Sequence, residues 1–168
     1  FGFTEQEVFA ALDEYGMGDR QEEVKNWYDG FTFGRQRDIY NPWSILNYLK
    51  NGGFAAYWAN TSSNSLVGKL IREGSPDIKM TMELLLADGI LYTEIDEQIV
   101  FDQLDYSQSA VWSLLLTSGY LRVESCEMLS GGRWEYGLKL TNLEVKLMFE
   151  RMIEGWFRDY TPHYNTFI

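Results

Sequence analysis

The segment Trp27-Tyr28-Asp29-Gly30-Phe31-Thr32-Phe33-Gly34, followed by Ile39-Tyr40-Asn41-Pro42-Trp43-Ser44-Ile45-Leu46, decides how the chain around it folds. Asp29-Gly30 breaks a helical pattern, Phe31-Thr32-Phe33 has the period of a short strand, and residues 34–38 read as a polar turn returning through Ile39-Tyr40. Asn41-Pro42 then supplies an N-cap and a proline at the first helical position, where an amide hydrogen would have no intrahelical partner. The unit is therefore a helix stop, a hairpin at about 31–40 and a helix start.

Toward the N-terminus, Thr4-Glu5-Gln6-Glu7 has the form of a capping box, with the Thr4 hydroxyl facing the Glu7 amide and the Glu7 carboxylate returning to the Thr4 amide. Val8, Phe9 and Leu12 form the apolar stripe of that helix, and Gly16 and Gly18 offer its stop. A second helix over 19–27 carries Glu22 and Glu23 in its first turn, favourable to the helix dipole. Toward the C-terminus, the helix presenting Trp43, Ile45, Leu46, Tyr48 and Leu49 ends at Asn51-Gly52-Gly53. An aromatic connector at 54–58 leads to capping residues at 60–64 and a helix with Leu66, Val67, Leu70 and Ile71. Pro76-Asp77 starts another, with Ile78, Met82, Leu85 and Leu86 before Asp88-Gly89.

Beyond Gly89 the pattern changes. Residues 90–95 read as a strand, and the acidic segment to Tyr106 as a loop or a short strand around Ile99-Val100-Phe101. Ser107 or Ser109 can cap a helix through Val111, Trp112, Leu114, Leu115 and Leu116. Strands at 120–123 and 134–140 flank a Ser130-Gly131-Gly132 turn, and Asn142 caps a last helix expected to run out near Tyr160, before Pro162. The expected fold is mainly α with small β. A helical bundle with an inserted hairpin occupies 1–88, a winged-helix-like domain 89–160, and a tail 161–168.

With 45% hydrophobic residues the chain can bury a real core, and no run of about eighteen apolar residues suggests a membrane span. It reads as a soluble protein of a reducing compartment, and the single cysteine, Cys126, reads as a buried small hydrophobe. The first residue is Phe rather than Met and a helix begins almost at once, as expected of a piece of a longer protein. A net charge of -11 argues against nucleic-acid binding, which is dominated by basic side chains. The acid is concentrated: residues 1–30 hold eight acidic and two basic side chains and residues 82–108 seven acidic and none basic, leaving the rest at +2.

Five blocks carry a resemblance: Tyr28-Asp29-Gly30-Phe31-x-Phe33-Gly34, Tyr40-Asn41-Pro42-Trp43-Ser44, Tyr57-Trp58-x-Asn60-Thr61-Ser62, Leu114-Leu115-x-x-Ser118-Gly119-Tyr120-Leu121 and Asn142-x-Glu144-Val145. In order and approximate spacing they resemble the predicted AAA-ATPase-like family of bacterial proteins, which join a P-loop ATPase core to a C-terminal PD-(D/E)XK nuclease-like domain. The chain resembles the lid and winged-helix region between them. Thr141 stands where the family usually has proline. The glycine-rich loop with Lys and Ser or Thr that cradles phosphates does not occur, nor does a strand ending in a magnesium-binding acidic pair.

The resemblance therefore implies a non-catalytic module, with no cofactor or metal of its own, of a cytoplasmic protein that binds ATP and magnesium elsewhere. Its expected partners are the P-loop core and the nuclease-like domain of the same protein, with no membrane. Asp29 could face a nucleotide or an arginine of the ATPase core, or simply set the helix stop. Arg35 and Arg37 at the hairpin tip, or Arg72, could reach bound phosphates as lid arginines do, or be solvated. Tyr28, Gly30, Gly34, Asn41, Pro42, Asn60, Thr61, Ser62, Gly119, Tyr120 and Asn142 read as structural members of the blocks. His163 reads as a surface residue, and the acidic residues at 94–105 lack the glycine and spacing of a calcium loop. The alternative function is a winged-helix module binding nucleic acid or protein. Its would-be reading helix, 107–118, contains no Lys or Arg, and the wing sets Arg122, Arg133 and Lys139 against Glu124, Glu127 and Glu135.

Overall fold

A computed structural model describes residues 2–33, 36–60, 64–95 and 108–164. Thr4 closes a two-residue strand, β1 (Phe3–Thr4), and caps helix α1 (Glu5–Glu14), its hydroxyl oxygen accepting from the Glu7 amide at 3.2 Å. The Glu7 carboxylate accepts from the Thr4 hydroxyl at 3.0 Å, so both bonds of the cap run through that hydroxyl. Val8 and Leu12 are buried one turn apart. A 3-10 turn (Gly18–Arg20) leads into α2 (Gln21–Tyr28), which buries Val24 and Tyr28.

At Asp29 the backbone becomes extended, and Gly30 takes φ +123°, a region that L side chains avoid. Strands β2 (Phe31–Phe33) and β3 (Gln36–Tyr40) form the hairpin, and β1 pairs with the other edge of β3, giving the antiparallel order β1-β3-β2. Two residues are too few to show a period, so β1 has no signature in the sequence. Asn41 Oδ1 accepts from the Trp43 amide at 2.9 Å to start α3 (Pro42–Asn51), and Gly52, left-handed at φ +72°, ends it.

A 3-10 turn (Tyr57–Asn60) precedes α4 (Asn64–Arg72) and α5 (Pro76–Leu86). Then come β4 (Leu91–Glu94), α6 (Gln108–Thr117), β5 (Leu121–Met128), β6 (Trp134–Leu140) and α7 (Leu143–Tyr164). All three strands are antiparallel in the order β4-β6-β5. A bulge between Val123 and Ser125 shifts the β5–β6 register by one residue. Among the described residues, seven helices and two small antiparallel sheets make the chain mainly α with small β.

Two expectations need correction. The last helix passes Tyr160 and continues through Pro162 to Tyr164, so that Pro162, which has no amide hydrogen, forfeits one bond of the closing turns rather than ending the helix before it. Cys126 is exposed, because it lies on a stretch of β5 with little packed over it. Gly34, Arg35, Thr61, Ser62 and the segment 96–107 lie outside the described residues.

Among the described residues, most of the buried apolar side chains form two clusters. The first joins α1, α2, β3 and α3 through Val8, Leu12, Val24, Tyr28, Tyr40, Ile45, Tyr48 and Leu49, with Trp27, Phe54 and Tyr57 against it. Phe54 of the connector stacks on Tyr48 at 4.7 Å between ring centroids and on Trp27 at 5.6 Å. The second joins α4 and α5 to α6, β5, β6 and α7, with Ile71, Met82, Leu85, Leu115, Tyr120, Leu138 and Phe149 at its centre. The helices at 64–86 thus share their core with the C-terminal half of the chain.

Candidate functional site

Where the two cores meet, the junction is polar and is made by residues of the sequence blocks. Glu144, in the first turn of α7, is buried at 1% exposure. Ser44 of α3 lies 2.9 Å from both of its carboxylate oxygens, and the Trp58 amide donates to Oε2 at 3.1 Å. Burial pushes the Glu144 carboxyl up to about 7, against the opposing pull of the Trp58 amide, the Ser44 hydroxyl and the Tyr57 amide.

A second link runs from Asn142, whose Oδ1 caps α7 by accepting from the Val145 amide at 3.0 Å while its Nδ2 donates to the Asp29 carbonyl at 2.8 Å. Gly30 sits against Thr141 so closely that a Cβ there would lie 2.6 Å from the Thr141 carbonyl oxygen. Thr141 in turn donates from its hydroxyl to the Gly119 carbonyl at 2.6 Å and from its amide to the Tyr120 carbonyl at 3.2 Å. Phe31 packs on Gly119 and meets Trp58 edge-on at 5.6 Å, and Trp58 stacks on Tyr120 at 4.6 Å. Tyr120 donates its hydroxyl proton to Asn64 Oδ1 at 2.5 Å. All five blocks therefore contribute to one seam.

Beside the seam, Lys25 of α2 gathers three carboxylates. Its Nζ lies 2.5 Å from Glu5 Oε1, 2.8 Å from Asp29 Oδ2 and 3.3 Å from Asp38 Oδ1. The acidic oxygens lie within 4.8 Å of one another, and the ammonium supplies the cation that holds them together. Burial raises Asp29 to about 6, with Lys25 opposing and Asp38 adding to the rise. Asp38 is held below its usual range by its hydrogen bond with Asp29 and then by Lys25. Tyr40 donates to Glu5 at 3.1 Å, and its phenol is raised by burial and by the neighbouring acids. Asp29 is thus committed within the chain: one oxygen on Lys25, the other on the Gly30 amide at 2.6 Å.

A cleft of about 460 Å³ opens here, its lining including Lys25, Asp29, Asp88, Arg122, Lys139 and Lys146. Four of these six side chains are cationic in a chain of net charge -11. Arg37, exposed on β3, and Arg72, exposed in the last turn of α4, do not line it. Sequence reasoning treated Arg122 and Lys139 only as wing cations and gave Lys25, Ser44 and Glu144 no role. Glu144 could be confused with an acid placed for the helix dipole, and Ser44 with a neutral helix residue. The blocks containing both were the available signal.

Over 145 residues, or 86% of this chain, the sequence is 26% identical to an uncharacterized protein in the vnfD 5' region of Azotobacter chroococcum mcd 1. The chain spans about a quarter, 26%, of the length of that relative. No family model and no solved structure matches this chain. Among the described residues no helix is long and apolar enough to cross a membrane.

Proposed function

We propose that this chain is the non-catalytic lid and winged-helix module of a cytoplasmic AAA-ATPase-like protein, closing on a P-loop core and passing its nucleotide state to a downstream nuclease-like domain. The observation that carries this reading is the convergence of the five blocks on one seam. A relay needs two packed units whose relative position is fixed by specific bonds, and the seam supplies them from Asp29, Ser44, Trp58, Thr141, Asn142 and Glu144. ATP and magnesium belong to the P-loop core, with this chain supplying the moving surface.

The winged-helix part of the reading is supported by element order. A helix, a strand, a helix and a two-stranded wing succeed one another, with the first strand paired to the last. In DNA-reading winged helices the recognition helix is free to enter a groove. Here α6 is buried along Ala110, Val111, Trp112 and Ser113, and this favours a protein-facing role over a nucleic-acid one. The test is phosphate release from ATP and magnesium by the 168-residue chain. No turnover above buffer is expected, and turnover that survives purification to homogeneity would overturn the non-catalytic assignment.

A further inference from the structure

The cleft at the seam has a charge arrangement that the fold does not explain. Arg122 on β5 and Lys139 on β6 are direct cross-strand partners and so project from the same face of the sheet. Like charges placed opposite each other in a sheet are destabilising. Arg122 is partly offset by Glu124 at 2.8 Å, the residue left unpaired by the bulge. Lys139 is half-buried, and its side chain has no ion pair or hydrogen bond among the described residues. Lys146, from the first turn of α7, completes the wall, with only a long 3.4 Å contact to the exposed Asp88.

The geometry points to a binding site for a small phosphate-bearing anion in this cleft, with Lys139 and Arg122 as its principal ligands and Lys146 as a third. A doubly charged oxyanion would relieve the repulsion between the opposed cations, and the guanidinium offers it two parallel donors. The positive end of α7 adds to the same field. A concave cleft of about 460 Å³ suits a small molecule better than a polymer. The inference rests on the cleft alone and stands whether or not the chain belongs to an ATPase.

Pyrophosphate titrated into the 168-residue chain by calorimetry, with ionic strength held constant by sodium chloride, tests it. One saturable site is expected, weakened at least tenfold by Lys139→Gln and by Arg122→Gln and unchanged by Lys50→Gln, an exposed lysine of α3 outside the cleft. The melting temperature of Lys139→Gln should equal or exceed that of the parent chain, because the substitution removes a like-charge pair. Heats that do not saturate, or an affinity untouched by both cleft substitutions, would overturn the site. A Lys139→Gln chain that melts several degrees lower would do so too, since Lys139 would then serve the fold.

Discussion

The first core buries three tyrosines, Tyr28, Tyr40 and Tyr48, and gives each hydroxyl a partner. Tyr28 donates to the Ala55 carbonyl at 2.9 Å, Tyr40 donates to Glu5, and Tyr48 accepts from Arg20 Nη1 at 3.4 Å. The second core is built largely of Val, Ile, Leu and Met around Trp112 and Phe149, with Tyr120 its single buried tyrosine among the described residues. One half is thus held in register by directed bonds, the other by the volume its side chains fill. Directed bonds fix a geometry within tenths of an ångström, whereas apolar packing contributes most of the free energy. A unit that must present a seam accurately gains from the first, and one that must stay folded under load gains from the second.

Substitutions can separate these two modes. Truncation in the second core, Phe149→Ala, should cost about 4 kcal/mol in denaturant unfolding, because the ring is fully buried and the site leaves a cavity. A cost below about 1 kcal/mol would mean that the second core is not held by packing. Next in size is a pH effect at the seam. The Glu144 carboxyl lies at about 7 in the folded chain against an ordinary 4.5, so the folded state binds the proton more tightly. Its contribution is fully present below pH 4.5 and is lost as pH rises through about 7, a change of about 3 kcal/mol. Asp29, raised to about 6, acts in the same direction, and Asp38, lowered, in the opposite one. In Glu144→Gln the Glu144 part of this slope should vanish from stability measured between pH 4.5 and 8; an unchanged slope would assign the titration elsewhere.

Gly30→Ala should cost about 2 kcal/mol, combining the strain of a side chain at φ +123° with the approach to Thr141, and thermal unfolding would report it. A neutral result would show that Thr141 retreats easily and that the seam is looser than its bonds suggest. The smallest effect, about 1 kcal/mol, is expected for Tyr28→Phe, which leaves the ring and removes the two bonds of its hydroxyl to the Ala55 carbonyl and amide. If that change costs nothing while Phe149→Ala costs its full amount, the hydroxyls of the first core contribute no stability and the contrast between the cores is one of composition only.

The same contrast governs how much was legible in the sequence. The helix stop at Asp29-Gly30, the hairpin and the Asn-Pro helix start arise from short-range steric and hydrogen-bonding rules, and each can be read within a few residues. Periodicity likewise places α5, β6 and most of α7. Strand β1 could not be read, since its existence depends on a partner, β3, more than thirty residues away. The bulge at Val123 and Ser125 could not be read either, and it decides the cleft. Counted from the Gly131-Gly132 turn without it, Arg122 would stand opposite Leu140 rather than Lys139. Glu144 and Ser44 meet across 100 residues of sequence, so no local pattern connects them. The blocks that contain them pointed to the right segments without saying what each residue does.

The coupling of the two cores through the seam can be measured by native-state hydrogen exchange in Glu144→Ala, which leaves Ser44 and the Trp58 amide without their acceptor. If the seam joins the halves into one unit, amide protection should fall by similar factors in α3 at residues 45–49 and in α6 at residues 111–115. Protection lost around α7 and its neighbours while α3 keeps its full value would show two independent units, and would contradict a relay through this junction.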